Sequence, residues 1–172
     1  FTGDAYLREW ESLIEAFGVF YRGDPSLWGV HLTGCSPYGV SEERHHKITP
    51  AIEAADKRLM RAWARAFPTQ KLLLAIGNKD DAGMKRLILY AKSIAPGRVV
   101  VKHNAMKSGT NLNANHNRLI VWAGQQGLDI GFEMAAADSN WPKVKQNIAA
   151  IERQAGRKIV YLAAYPTDLV QA

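Results

Sequence analysis

Apolar residues recur along the start of the chain at steps of three and four. Leu7, Trp10, Leu13, Ile14 and Phe17 share one side of a helix, and Gly23-Asp24-Pro25 stops it. A short strand-like run, Trp28 to Thr33, leads into the turn-rich stretch Gly34-Cys35-Ser36-Pro37-Tyr38-Gly39. Thr49-Pro50 reads as a helix start, a capping hydroxyl followed by the residue whose fixed φ suits the first turn. Ile52, Leu59, Met60, Trp63 and Phe67 mark the buried side of that helix and Pro68 its end. From there the pattern alternates regularly. Strands are predicted over Lys71 to Ile76, Arg98 to Lys102, Leu128 to Phe132 and Lys158 to Ala163, with helices over about Asp81 to Ala95, Asn115 to Gln126 and Trp141 to Ala155. Gly127 and Gly156 sit where helices terminate.

The strands are continuous apolar runs, such as Leu72-Leu73-Leu74-Ala75-Ile76 and Val99-Val100-Val101, as strands covered on both faces require. Strict alternation of strand and helix predicts an α/β fold with a parallel sheet and right-handed crossovers. An open doubly wound sheet and a run of a parallel β/α (TIM) barrel both satisfy that pattern. The expectation is a single α/β domain over residues 1–172, the C-terminal part of a barrel whose N-terminal strands lie upstream, because Phe1 already falls inside a helical pattern.

Composition narrows the choice of chemistry. With 172 residues, 47% of them hydrophobic, the chain can bury a sizeable core. No apolar run approaches the roughly 20 residues needed to span a bilayer, so no membrane partner is expected. The net charge of +6 comes from 22 basic residues interspersed with 16 acidic ones, without a basic stripe carrying aromatics, so no nucleic-acid partner is expected either. Cys35 is alone and cannot form an internal disulfide. His45-His46 and His116 have no carboxylate at ligand spacing, and no glycine-rich phosphate loop is present, so neither metal nor cofactor is expected. Ser36, Ser41, Ser108 and Ser139 lie outside any nucleophile-elbow pattern.

Candidate chemistry collects at the C-terminal ends of the strands, the rim from which barrels build their sites. The ends read His31 and Thr33, then Gly77-Asn78-Lys79-Asp80-Asp81, Lys102-His103-Asn104, Glu133-Met134, and Tyr165-Pro166-Thr167-Asp168. Loops after strands are polar in any case, so the weight lies in their joint occurrence. Glu133 follows directly on an apolar strand, a rigid mount for a reacting carboxylate. Glycosidic hydrolysis usually takes two carboxyl groups, one protonating the leaving oxygen and one attacking or activating water. Glu42 and Glu43 are the candidate partners; pairing with Arg44 or simple solvation is the alternative for both. In the Asn-rich segment 102–117, His103 and Asn104 are the residues expected to meet ligand, an amide offering a sugar hydroxyl both donor and acceptor; the remaining Asn residues suit turns. His31 and Asn78 join them as candidate binding residues. Tyr38, Trp141 and Tyr165 are placed to stack on a sugar ring, whereas Trp10, Trp63 and Trp122 fall within helical apolar patterns and are assigned to the core.

The stretch Phe17-Gly18-Val19-Phe20-Tyr21-Arg22-Gly23-Asp24-Pro25-Ser26-Leu27-Trp28-Gly29-Val30-His31-Leu32-Thr33 resembles the approach to the fourth strand in the large clan of retaining β/α-barrel glycoside hydrolases. The resemblance implies that the visible strands are the fourth to the eighth of a barrel, that Glu133 falls where the clan places its nucleophile, and that Tyr165 stands at the eighth-strand end, beneath the sugar. One departure is plain. The clan carries Asn-Glu at the end of its fourth strand, where this chain has Gly34-Cys35, and the first glutamate after it is Glu42. A longer loop returning Glu42 or Glu43 to the site would preserve a glycosidase acting on a carbohydrate. The alternative is a non-catalytic carbohydrate-binding or structural barrel module in a larger assembly. Half a barrel leaves strand edges unpaired, so association with the missing N-terminal half or with further copies is expected.

Overall fold

A computed structural model describes residues 2–32, 47–77, 80–134 and 136–164. The chain forms two compact units, Phe1–Val99 and Val100–Ala172. The protein is α/β, and every strand pairing described within a unit is parallel.

The first unit holds α1 (Asp4–Tyr21), β1 (Gly29–His31), α2 (Pro50–Ala66), β2 (Lys71–Ala75) and α3 (Asp81–Ile94). β1 lies beside β2 in parallel, with Gly29 opposite Lys71 and His31 opposite Leu73. α1 and α2 approach closely where Gly18 meets Ala66; a Cβ at Gly18 would come within 2.8 Å of the Ala66 side chain and carbonyl. Arg58 of α2 reinforces this pairing, its guanidinium meeting both carboxylate oxygens of Glu11 at 2.9 and 2.6 Å. Thr49 caps α2 through the Ile52 amide, as its sequence predicts. Asp80 caps α3 and also accepts from Ile48, fastening the start of that helix to the segment before α2. Only part of the predicted apolar face of α1 is enclosed: Leu7 and Ile14 are buried, whereas Leu13 and Phe17 are exposed.

The second unit holds β3 (Val99–Met106, whose first residue belongs to the first unit), α4 (Asn115–Gln125), β4 (Asp129–Met134), α5 (Trp141–Ala155) and β5 (Ile159–Ala163). β4 lies between β3 and β5, parallel to both. β3 runs further than its apolar stretch predicts, because His103 and Met106, past Lys102, still pair with β4, the register shifting between them. Helices α4 and α5 pack at Gly124, where a Cβ would lie 2.7 Å from that of Ala155. Gly156 ends α5 in the left-handed conformation, the terminating role its sequence position predicts.

Candidate functional site

Successive residues of a strand point to opposite faces of the sheet. On β3 this separates His103 from Lys102. The His103 ring turns toward α4: its Nε2 lies 2.8 Å from Asn117 Oδ1, and its Nδ1 accepts from the Ala105 amide at 3.0 Å. That pairing makes Nε2 the protonated nitrogen of a neutral ring. Burial, and then the neighbouring His116, push its pKa down to about 3. The ring also meets Phe132 edge-on at 5.0 Å. His103 is thus a hydrogen-bonded core residue on the helix side of the sheet, with 1% of its surface exposed.

Lys102 points to the other face, where three strands bring a cluster together. Register places Lys102 of β3 beside Gly131 of β4, and Gly131 beside Tyr161 of β5. Glu133, two residues beyond Gly131, shares their face. The Lys102 Nζ lies 2.5 Å from Glu133 Oε1, and the Tyr161 hydroxyl donates to that same oxygen at 3.2 Å. Gly131 keeps the space above β4 open, since a Cβ there would lie 2.8 Å from both the Cβ and the carbonyl oxygen of Tyr161. Burial draws the Lys102 ammonium below its ordinary pKa, against the opposing pull of Glu133. Burial, then the Glu133 charge, push the Tyr161 hydroxyl up to about 12, so it remains a donor throughout the neutral range. The Lys102 side chain is 4% exposed and that of Glu133 23%, so the ammonium is enclosed while the carboxylate reaches the surface.

The Asn-rich segment largely folds itself. Asn117 is buried and donates to the Asn111 carbonyl; Asn111 receives the Asn113 amide, and Asn115 receives Arg118. Asp138, from the loop after β4, accepts from the Ser108 and Asn140 amides, and Asn147 of α5 donates to the carbonyls of Lys107 and Ser108. The loops following β3 and β4 are thereby tied to one another.

Of the other expected ligand residues, Asn104 is exposed in the irregular stretch of β3, and His31 is exposed at the end of β1 in the first unit. Trp141 is buried at the start of α5, and its indole N–H has no hydrogen-bond partner among the described residues. Glu42, Glu43, Tyr38, Asn78 and Tyr165 lie outside the described residues. Among the described residues no group of three or more His, Cys, Asp and Glu could hold a metal, and no helix is long and apolar enough to cross a membrane.

Sequence reasoning singled out Glu133 but neither Lys102 nor Tyr161 as its companions. Two signals were available: a lysine directly continuing the apolar run Val99-Val100-Val101, and a glycine inside β4, which marks close approach of another group. Compared with protein-family models, with curated proteins and with solved structures, the chain shows no match.

Proposed function

We propose that this protein is a glycoside hydrolase-like β/α barrel portion, with β1 to β5 as the fourth to eighth strands, which cleaves a glycosidic bond in a carbohydrate. The observation that carries the reading is Glu133: a carboxylate mounted near the C-terminal end of a parallel strand, on the face away from the helices, supported from behind and reaching the surface. Paired with Lys102, it is suited to act as an anion, attacking the anomeric carbon or activating water. The proton for the leaving oxygen would come from a second carboxyl group, for which the sequence offers Glu42 and Glu43.

A panel of para-nitrophenyl glycosides and soluble polysaccharides tests this. Glu133→Gln should abolish whatever hydrolysis the unmodified chain shows, and either Glu42→Gln or Glu43→Gln should depress it severely. Hydrolysis that persists in Glu133→Gln would sink the assignment. Proton NMR of the first-formed product should show retained anomeric configuration, which requires the two carboxyl groups to stand about 5 to 5.5 Å apart.

The second reading, a non-catalytic carbohydrate-binding or structural module, is favoured by a specific observation: the Lys102–Glu133 ion pair is also what a purely structural strand pairing would display. Sugar binding without turnover, unaffected by Glu133→Gln, would select it.

A further inference from the structure

Glutamate has three rotatable side-chain bonds, and a carboxylate spread over several rotamers is a poor nucleophile because few of its orientations are productive. At Glu133 this freedom is restricted by two donors on one oxygen, Lys102 Nζ from β3 and the Tyr161 hydroxyl from β5. They belong to the strands on either side of β4, so together they restrain the carboxylate from both sides. The arrangement depends on Gly131, the register neighbour of both, because Tyr161 occupies the space a side chain there would fill. Lys102 is also too enclosed to serve as a surface ion pair whose energy salt would screen.

We propose that Lys102 and Tyr161 are positioning residues that hold the Glu133 carboxylate in one orientation for attack at the anomeric carbon, and that Gly131 keeps open the space Tyr161 needs to do so. This rests on the glycosidase reading of Glu133. Neither residue exchanges a proton with substrate; both act through Glu133.

The test has an arm that needs no turnover. In the full chain labelled with δ-carbon-13 glutamate, the Glu133 carboxyl resonance is the one missing from Glu133→Gln. It should shift in Tyr161→Phe, which removes a single hydroxyl, and in Lys102→Met. Should Lys102→Met fail to fold, as loss of one partner from a buried pair can cause, Tyr161→Phe decides alone. In the kinetic arm, Tyr161→Phe should lower kcat by about 10- to 100-fold on the glycoside that Glu133→Gln silences, with KM changed less than about twofold. A raised KM with unchanged kcat would instead make Tyr161 a substrate contact and overturn the proposal. The arms separate the two claims. An inert unmodified chain with a responsive resonance overturns the glycosidase reading, and the role in attack with it, but not the restraint of Glu133; an unmoved resonance beside hydrolysis that Glu133→Gln abolishes overturns the positioning alone.

Discussion

Neighbouring residues of β3 illustrate how one step along a strand changes a side chain's task. His103 was expected at the ligand, since it follows an apolar strand, but its ring lies against Asn117, His116 and Phe132. Its environment has a consequence for stability. The imidazole takes up a proton near its ordinary value of 6.5 when unfolded, and only near about 3 when folded. Between those values the unfolded chain binds more protons, so stability is lost as pH falls through that window. Asp80 and Asp138, which accept backbone amides, have pKa values held below 3.8, so their contribution is lost as pH falls below that value, in the lower part of the window. The upper part of the window therefore belongs to the histidines, His116 contributing in the same direction. His103→Gln should flatten the dependence of Tm on pH between about 5 and 6.5 in thermal unfolding; an unchanged slope would remove this imidazole from the account. Glu133 could be singled out from sequence because a carboxylate ending an apolar run is conspicuous. Its companions leave only indirect marks, a lysine that continues an apolar run and a glycine inside β4, because their convergence depends on register between strands, and register is absent from the periodicity of any one strand.

At the scale of elements, the sequence was legible wherever a local signal sufficed. Thr49-Pro50 opens α2, Gly156 closes α5, and the apolar runs locate β2, β3 and β4. It was less informative where an end is set by a neighbour, as with β3, which continues past Lys102 because β4 offers partners to His103 and Met106. Helix packing gives a contest between two effects of known size. Replacing Gly124 in α4 by alanine should favour the helix by up to about 1 kcal/mol. The added Cβ, however, would lie 2.7 Å from the Ala155 Cβ and 3.2 Å from its carbonyl oxygen, and the backbone atom cannot swing aside. Overpacking of that kind costs about 1 to 3 kcal/mol, so Gly124→Ala should lower the urea midpoint despite its better propensity. A raised midpoint would mean that α4 and α5 separate more readily than their contact suggests.

For the molecule as a whole, alternation of strand and helix was enough to predict an α/β protein with parallel strands, and the structure has that form. Closure into a barrel is a different matter, because it is set by shear and tilt accumulated over all the strands, which neither the two-residue nor the 3.6-residue period records. The sequential pairing of strands bears on synthesis as well as on architecture. Within each unit a strand pairs with one from which a single helix separates it among the described residues. A parallel pairing has to wait for its whole crossover, so it forms more slowly than a hairpin or a helix pair. Each unit nevertheless closes its own pairings, so the first can gather its helices while the second is still being made. Nascent chains halted at increasing lengths should gain protease protection over α1 to α3 soon after Val99 has cleared the ribosome, whereas protection delayed until release would show that the N-terminal unit waits for the rest. A chain wound in this order exposes its apolar strands one at a time, so chaperones would meet short, transient stretches of β-strand rather than an entire unassembled sheet.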